Sequence, residues 1–308
     1  IRKRFNNMQT AVVTGGAGFI GSNLVDKLIE QDIKVIILDN LSTGKKENIN
    51  PKATFYDLDI SNTDILRLQT IIKDTDVVFH LAALARVQPS IEQPLPYHDV
   101  NVTGTHNLLV AAARTGVKKF IFSSSSSVYG NASIPTSETH PKNPISPYAL
   151  HKLIGEQYCK LFSTLYDIDT VSLRYFNVYG DRMNLEGAYR LAIPIFASQI
   201  KEGRPCTINN DGEQRRDFTY VGDVVDANIK CALNKKRFDG DVFNIGNGSN
   251  TSVNELVDML GGEKGKGMKV VEPFETLADN AKALLDLDWA PQGDLFIWIS
   301  NYKKELGI

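Results

Sequence analysis

The sequence is short of cysteine, of long apolar runs and of any excess of charge of one sign. Its three cysteines, Cys159, Cys206 and Cys231, show no CxxC or Cys/His spacing, so we expect neither a disulfide framework nor a zinc site. No apolar run reaches the ~18 residues that a membrane-spanning helix needs. The net charge is −2, and without a basic excess we expect no nucleic-acid partner and no membrane partner.

The first residues do not match the pattern of a secretory signal. Residues 1–7 are basic, but no apolar stretch with a small-residue cleavage site follows them. We expect a short extension ahead of a natural start at Met8, and we expect the cytoplasm as the compartment.

Short β-branched runs alternate with helical patterns through the first half of the chain. The strand-like runs are 10–14, 34–38, 54–56, 77–81, 119–123 and 170–174. The helix-like segments are 19–31, 61–73, 103–115 and 148–166. Several runs are apolar on both faces, as strands covered by helices on both sides must be. The pattern predicts an α/β fold with a doubly wound parallel (Rossmann) sheet, which binds ligands at the carboxyl ends of its strands.

The alternation breaks down after about residue 175, where glycine, asparagine, proline and arginine become frequent. We expect residues 8–175 to form a dinucleotide-binding domain, joined by a returning segment near 220–246 that includes a strand at 241–245. Residues 176–219 and 247–308 would form a smaller α/β domain that binds the substrate. The Gly/Lys-rich stretch 261–269 is predicted to be a mobile loop.

A glycine motif follows the first predicted strand directly. Gly15, Gly18 and Gly21 have the spacing GxxGxxG, and a helix pattern begins after them. Glycine permits a tight turn and close approach of the backbone to a pyrophosphate, and the helix start presents free N–H groups to the phosphates. Since a strand precedes the motif and a helix follows it, the motif predicts a dinucleotide site rather than a merely structural turn.

The ends of the next strands suggest which dinucleotide binds. Asp39 ends the second strand, 18 residues beyond Gly21. A carboxylate there accepts hydrogen bonds from ribose hydroxyls and repels the extra phosphate of NADP, so we predict NAD; the alternative is an ordinary turn aspartate. Asp59 would meet the adenine amino group, and the small residues after the fourth strand would let the cofactor lie against the backbone.

A Tyr/Lys pair provides the candidate catalytic chemistry. Tyr148 and Lys152 are four residues apart, which places both on one helical face, and Pro147 suits the helix start. The ammonium can lower the pKa of the phenol, so that the phenolate acts as a general base near neutral pH. A serine run at 123–127 lies at the end of the fifth strand, where one hydroxyl can hydrogen-bond the same substrate oxygen. The alternative for the run is a polar turn.

Together these residues resemble the extended short-chain dehydrogenase/reductase family, and within it the UDP-hexose 4-epimerases. The resemblance runs from Gln9 to about Pro291. Its motifs are TGGAGFIGSNL (14–24), LDN (38–40), DLDI (57–60), HLAAL (80–84), NVTGT (101–105), FSSSSSVYG (122–130), SPYALHK (146–152), RYFNVYG (174–180), GAY (187–189) and RRDFTYVGDV (215–224).

The resemblance implies a set of site residues. The catalytic residues would be Ser125, the third serine of the run, with Tyr148 and Lys152. Cofactor contacts are expected from Gly15, Gly18, Phe19, Ile20, Gly21, Asp39, Asn40, Thr43, Gly44, Asp59, Ile60, Leu81, Ala82, Ala83, Ala85, Asn101, Ser123, Tyr148, Lys152 and Tyr175. Substrate contacts are expected from Arg86, Ser125, Asn177, Ala188, Tyr189, Ile193, Thr207, Asn209, Arg216, Lys269 and Glu272. No metal is expected.

Two positions depart from the family pattern. Lys269 stands where the family has a second arginine for the diphosphate, with Glu272 as the acid three positions later; lysine keeps the charge but loses the bidentate fork. Arg216 would be the first such arginine; the alternative for it is a surface ion pair. Thr276 falls where epimerases limited to unsubstituted hexoses look to carry a tyrosine, and the smaller side chain favours an N-acetylhexosamine substrate alongside UDP-glucose.

The implied reaction is inversion at C4 of a UDP-hexose through a 4-keto sugar, with NAD recycled in each turnover. Alternatives are a 4,6-dehydratase, a UDP-glucuronate epimerase or a decarboxylase. Ser126 and Ser127 stand where dehydratases carry Asp-Glu, which favours epimerisation. A non-catalytic NAD(H) sensor is a further alternative, although such proteins usually lose the tyrosine or the lysine.

The resemblance also implies a homodimer. It would form through helices near 103–115 and 148–166, which carry apolar stripes. Their members are Leu108, Leu109, Ala112, Leu153, Cys159 and Phe162. The alternative is burial of these stripes against the sheet of the same chain.

Overall fold

The structure is a computed structural model that describes residues 8–183, 191–270 and 272–308. In this part of the chain the strands are β1 Thr10–Thr14, β2 Lys34–Asp39, β3 Thr54–Asp57, β4 Val77–His80, β5 Lys119–Ser125, β6 Asp169–Tyr175, β7 Asn177–Tyr179, β8 Cys206–Ile208, β9 Arg215–Arg216, β10 Phe218–Tyr220, β11 Asp241–Ile245, β12 Thr251–Ser252 and β13 Lys264–Lys266. The helices are α1 Phe19–Glu30, α2 Ile65–Ile72, α3 Val87–Glu92, α4 Pro94–His98, α5 Thr105–Thr115, α6 Pro147–Leu165, α7 Ala192–Lys201, α8 Val221–Leu233, α9 Val253–Leu260, α10 Ala281–Leu287 and α11 Leu295–Leu306.

Seven strands form one parallel sheet in the order β11-β6-β5-β4-β1-β2-β3. Every residue of β4 and β6 is buried, because helices cover both faces of the sheet and each face packs its own apolar cluster. The prediction of a doubly wound parallel sheet is confirmed. The strand order reverses direction between β1 and β4, and in such sheets the crevice for a ligand opens at this switch point.

The returning segment joins the sheet as expected. β11 pairs in parallel with β6, and the register places Asp241 opposite Val171. The remaining C-terminal strands form three two-stranded sheets, β10 with β7, β12 with β9, and β13 with β8. A separate apolar cluster that includes Tyr179, Phe196 and Leu256 packs beneath them. The domain boundaries that we predict from the sequence stay a prediction.

The prediction of a mobile loop over 261–269 is wrong for its centre. Lys264–Lys266 is a strand that pairs in parallel with Cys206–Ile208. A Cβ atom on Gly265 would lie 2.9 Å from the Pro205 Cβ, so glycine allows the two strands to approach each other. The glycines therefore serve close packing here.

A helical rod runs from Pro94 to Thr115 and carries a π-helical turn at Asp99–Gly104 between α4 and α5. The sequence pattern predicts only the second half of this rod. Turns of this kind insert one residue into a helix and often mark functional sites. The helices of the described residues are all too short or too polar to cross a membrane.

Candidate active site

The glycine motif forms a cradle at the end of β1. Gly15 has φ +69°, and a Cβ atom there would lie 2.8 Å from the Ala82 nitrogen. A Cβ atom on Gly21 would lie 2.1 Å from the Gly15 oxygen. Since such contacts do not occur in proteins, these two positions require glycine. The backbone of the turn is thereby left open beside the start of α1, whose first N–H groups have no side-chain cap.

Asp39 lies beside this cradle, and each oxygen of its carboxylate accepts one hydrogen bond from the backbone. One oxygen accepts a hydrogen bond from the Ala17 N–H at 3.0 Å and the other from the Leu41 N–H at 2.8 Å. Burial raises the pKa of this carboxyl group, and the two backbone donors oppose the shift. Each oxygen keeps a lone pair, so the carboxylate can still accept hydrogen bonds from ribose hydroxyls. Gly44 packs against Asp39 and Ala17, where a Cβ atom would lie 3.0 Å from both.

The carboxyl ends of the strands border one cleft with a volume of about 280 Å³. Most predicted cofactor residues line this cleft: Gly15, Gly18, Phe19, Ile20, Gly21, Asp39, Asn40, Thr43, Asp59, Ile60, Leu81, Ala82, Ala83, Ala85, Ser123, Tyr148, Lys152 and Tyr175. Gly44 and Asn101 do not. Lining residues absent from the prediction are Leu38, Ser42, Leu58, Leu84, Val100, Ser124 and Leu191. Leu38 and Leu58 directly precede the predicted aspartates Asp39 and Asp59. Their place in the sequence, next to those aspartates, therefore indicates that they contribute to the cleft.

Tyr148 faces the cleft from the first turn of α6. Ser146 caps this helix by accepting a hydrogen bond from the Ala149 N–H, and the Ser90 hydroxyl accepts one from the Tyr148 N–H at 3.2 Å. Burial raises the pKa of the Tyr148 phenol, whereas a hydrogen bond with Ser125 and the nearby Arg86 guanidinium lower it. Arg86 is therefore a cation near this phenol, and the predicted effect of the Lys152 ammonium on its pKa stays a prediction.

Lys152 is buried one turn further along α6. Its Nζ donates a hydrogen bond to the Ser123 carbonyl at 2.7 Å and lies 5.9 Å from the centre of the Tyr148 ring. Burial lowers the pKa of Lys152 to about 8, while the charge of Glu156 opposes that shift. The YxxxK spacing thus places both side chains on one face of the helix, as predicted.

Arg86 reaches the cleft from a strained loop after β4. Its φ of +93° lies in the left-handed region that residues other than glycine rarely adopt. The loop is held from outside by Tyr97, whose hydroxyl donates a hydrogen bond to the Ala85 carbonyl at 2.5 Å. The structure thereby places this predicted substrate residue beside Tyr148.

A buried chain of hydrogen bonds around His80 holds the other side of this loop. His80 Nδ1 lies 2.8 Å from the Thr14 hydroxyl, and Nε2 lies 2.8 Å from the Thr105 hydroxyl. Thr105 gives its hydrogen to the Asn101 carbonyl, so His80 must donate from Nε2 and accept at Nδ1. Thr14 in turn accepts from the Ala82 N–H. Because burial lowers the pKa of His80 to about 3, the ring stays neutral and serves as a spacer.

Asn101 acts behind the loop rather than within the cleft. Its amide accepts a hydrogen bond from the Leu84 N–H and donates one to the Leu84 carbonyl, each at 2.8 Å. The amide thus binds the loop, Asn101 is not among the residues that line the cleft, and its role at the cofactor stays a prediction. The hydroxyl of Tyr175 is hydrogen-bonded to Ser123 and Asn228, and the residue lines the cleft.

The predicted diphosphate residues lie outside the main cleft. Arg216 is paired with Glu272 at 2.5 Å and donates a further hydrogen bond to the Phe274 carbonyl. Lys269 is exposed, and no hydrogen bond or ion pair of its side chain is found among the described residues. Arg216 thus forms an ion pair in this structure, and its role at a diphosphate stays a prediction.

The remaining predicted substrate residues are dispersed. Asn177 is half-buried on β7, and the Ile193 side chain is buried in the C-terminal apolar cluster. The hydroxyl of Thr207 accepts a hydrogen bond from Gln199, and the side-chain oxygen of Asn209 accepts one from the Met268 N–H. Ala188 and Tyr189 lie outside the described residues. Their roles at a nucleotide stay predictions.

Comparison with known proteins places the chain among relatives. The model of the NAD dependent epimerase/dehydratase family matches residues 11–246. A putative UDP-glucose 4-epimerase of Methanocaldococcus jannaschii is 46% identical over 92% of this chain and 94% of its own. A UDP-glucose 4-epimerase of Thermotoga maritima, solved with UDP-glucose, is 39% identical with a TM-score of 0.90, covering 97% of this chain and 100% of that one.

A third relative is similar over the same extent. It is a UDP-N-acetylglucosamine 4-epimerase of Methanobrevibacter ruminantium, solved with UDP-N-acetylmuramic acid. Its sequence is 38% identical and its TM-score is 0.87, covering 97% of this chain and 99% of that one. The named sugars therefore differ among relatives of nearly equal identity, and overall similarity does not select one.

Proposed function

The chain belongs to the NAD-dependent epimerase/dehydratase family, and from that membership we propose that it inverts C4 of a UDP-hexose through a transient 4-keto sugar. The predictions of the family, of NAD as cofactor and of an isomerase are confirmed. The observation that carries the proposed reaction is that Tyr148 and Lys152 line the same cleft as the glycine cradle, while Ser125 hydrogen-bonds Tyr148.

The residues present fit NAD. The cradle at Gly15 and Gly21 is closed to any side chain, and the Asp39 carboxylate retains acceptor capacity beside it. In the proposal these groups hold the pyrophosphate and the adenosine ribose, and Lys152 lies near the nicotinamide end. A bound NAD would supply reversible acceptance of a hydride from C4 of the sugar.

The chain's own side chains handle the proton and the orientation of the sugar. Tyr148 removes the proton from the 4-hydroxyl and later gives one back, and Ser125 hydrogen-bonds the same oxygen. The cationic Arg86 favours the phenolate form of Tyr148 against the opposing effect of burial. The 4-keto sugar stays attached through its diphosphate, for which Arg216 is the proposed partner, and turns to present its other face.

We favour UDP-N-acetylhexosamines together with UDP-glucose and UDP-galactose as substrates. Thr276 is half-buried and accepts a hydrogen bond from the Asp217 N–H at 3.2 Å, so this position holds a small side chain turned towards the backbone. A relative that is 38% identical is named for UDP-N-acetylglucosamine. Ser126 and Ser127 supply no carboxylate for dehydration, which supports simple epimerisation over a 4,6-dehydratase.

We also propose a homodimer in the cytoplasm. The predicted stripe supports it less than expected, because Leu108, Leu109, Ala112, Cys159 and Phe162 are buried within the chain. Apolar side chains that α6 does leave exposed are Leu150, Leu161 and Leu165. The molecular mass in solution, from light scattering during gel filtration, tests this proposal, and a mass of one chain would contradict it.

The reaction is tested by separate incubation with UDP-glucose, UDP-N-acetylglucosamine and UDP-glucuronate, followed by isomer analysis. We expect the 4-epimer of the first two. A stable 4-keto product would indicate dehydration, and loss of carbon dioxide would indicate decarboxylation. Tyr148→Phe should lower kcat by at least about 100-fold while NAD remains bound. Full activity of this variant would remove Tyr148 from the base role.

A further inference from the structure

A buried ion pair lies directly behind the catalytic side chains. The Arg174 guanidinium donates to both carboxylate oxygens of Glu156, at 2.8 and 2.6 Å, and each side chain is 2% exposed. The third guanidinium nitrogen donates to the Tyr129 hydroxyl at 2.7 Å, which donates to Asn244 at 2.6 Å. The pair is therefore fully hydrogen-bonded and rigidly held between α6 and β6.

Glu156 continues the catalytic face of α6. Tyr148, Lys152 and Glu156 follow one another at intervals of four residues, so their side chains line one face of the helix. Glu156 also accepts a hydrogen bond from the Ser124 hydroxyl at 2.5 Å. Ser124 stands between two residues of the site, since the Ser123 carbonyl accepts from Lys152 and the neighbouring serine hydrogen-bonds Tyr148.

Burying an ion pair in a protein core carries a large desolvation penalty. Removing two charges from water costs several kcal/mol per ion, and apolar replacements of the same volume are often neutral or stabilising. Glu156 instead accepts a hydrogen bond from Ser124 of the serine turn, and its charge acts on the Lys152 ammonium one turn earlier on the same helix face. Both connections lead to groups that the proposed reaction uses.

We infer that Glu156 and Arg174 are positioning residues, which hold Ser124 so that Ser125 stays beside Tyr148 and which set the charge around Lys152. The inference rests on the proposed function for its kinetic consequence. Other titratable or charged groups around Lys152 are Tyr148 and His151 on α6, His80 on β4 and His98 on α4. Glu156 is the carboxylate that acts on Lys152. Its charge raises the pKa of Lys152, whereas burial lowers it.

Two variants separate the two connections. Ser124→Ala removes only the link to the serine turn and leaves the ion pair intact. Glu156→Gln removes the negative charge and keeps the shape, and Glu156→Asp restores the charge. Ser163→Ala is the matched control, because it deletes a hydrogen-bonding serine hydroxyl that lies near the far end of the same helix. In each variant we measure kcat, KM and, by the 13C shift of the lysine Cε, the titration midpoint of Lys152, assigned through its loss in Lys152→Met.

For Ser124→Ala we expect kcat to fall about tenfold with KM within about twofold, since a displaced hydroxyl affects the reacting geometry more than binding. For Glu156→Gln we expect the Lys152 midpoint and the alkaline limb of kcat to move down by about one pH unit, and to move down by less in Glu156→Asp, which keeps the charge but holds it further from Lys152. A kcat of Ser124→Ala equal to that of Ser163→Ala overturns the positioning role. An unchanged midpoint in Glu156→Gln overturns the charge role.

The midpoint is measured without substrate, so it stands apart from the proposed function. A wild-type protein that interconverts no UDP-sugar would refute that function, while the Lys152 titration would still decide the charge role. If Glu156→Gln does not fold, Glu156→Asp moves the carboxylate away from Lys152 and must lower the midpoint in the folded protein. An unchanged midpoint there overturns the charge role equally.

Discussion

Replacement of Lys152 by methionine should abolish catalysis and at the same time stabilise the fold. Lys152 is 5% exposed, and burial lowers its pKa from 10.5 to about 8. At pH 7 the side chain is charged in both the folded and the unfolded protein, so folding takes an ammonium out of water. Methionine has nearly the same length without the charge, and its thioether adapts well to an irregular apolar site.

The expected gain in stability follows from the shift in the pKa of Lys152. A difference of about 2.5 pKa units corresponds to roughly 3 kcal/mol at about 1.4 kcal/mol per unit. Methionine also leaves the Ser123 carbonyl without its donor, which costs about 1–2 kcal/mol. The net gain in the free energy of unfolding is therefore about 1–2 kcal/mol at pH 7, or a rise in Tm of about 2–4 °C.

The pH dependence provides the sharper test. Between pH 8 and 10.5 the unfolded chain holds the Lys152 proton more tightly than the folded one, so the penalty fades as pH rises through this window. The stability gap between Lys152→Met and wild type should be largest below pH 8 and shrink towards pH 10.5. The measurement is denaturant unfolding of nucleotide-stripped protein, with exposed Lys160→Met on the same helix as control. A variant less stable than wild type at pH 7, or a gap that is constant with pH, would refute this reasoning.

Three further changes test the site. Gly21→Ala places a Cβ atom 2.1 Å from the Gly15 oxygen, so the purified protein should release no NAD on denaturation; retained nucleotide would contradict the cradle. Lys269→Arg supplies a bidentate fork, so KM for UDP-glucose should fall about threefold with kcat unchanged. A KM equal to that of the wild type would show that residue 269 does not bind the diphosphate. Thr276→Tyr should lower kcat/KM for UDP-N-acetylglucosamine by at least about tenfold relative to UDP-glucose. An unchanged ratio would remove Thr276 from specificity.

Sequence patterns predict the half of the site that depends on strand ends. Gly15, Asp39 and Asp59 each follow from one rule, that a parallel sheet collects its ligand residues where the strands finish. Helix bounds are nearly as accessible: α6 begins at the proline that precedes Tyr148. The α2 helix begins at Ile65 rather than 61, because the Asp64 side chain caps it by accepting from the Leu66 N–H.

The remainder depends on contacts between distant segments. Nothing local to Arg86 indicates its positive φ, since the loop is held by Tyr97 and by the amide of Asn101. The direction of the Tyr175 hydroxyl is set by Asn228, which is far away in sequence. Helical spacing likewise predicts that Tyr148 and Lys152 share a face of α6, but it does not predict that the Arg86 guanidinium lies near the phenol.

The π-helical turn at Asp99–Gly104 makes the fold sensitive to the number of residues in this segment. Each residue of a helix advances by about 100°, so removing one from the turn would rotate α4 against α5 by that angle. α4 packs on α6 and α5 packs on α2, so one of the two halves would then present the wrong side chains to its neighbour. Substitutions at the solvent-facing positions of this turn should thus be tolerated more readily than a change in its length.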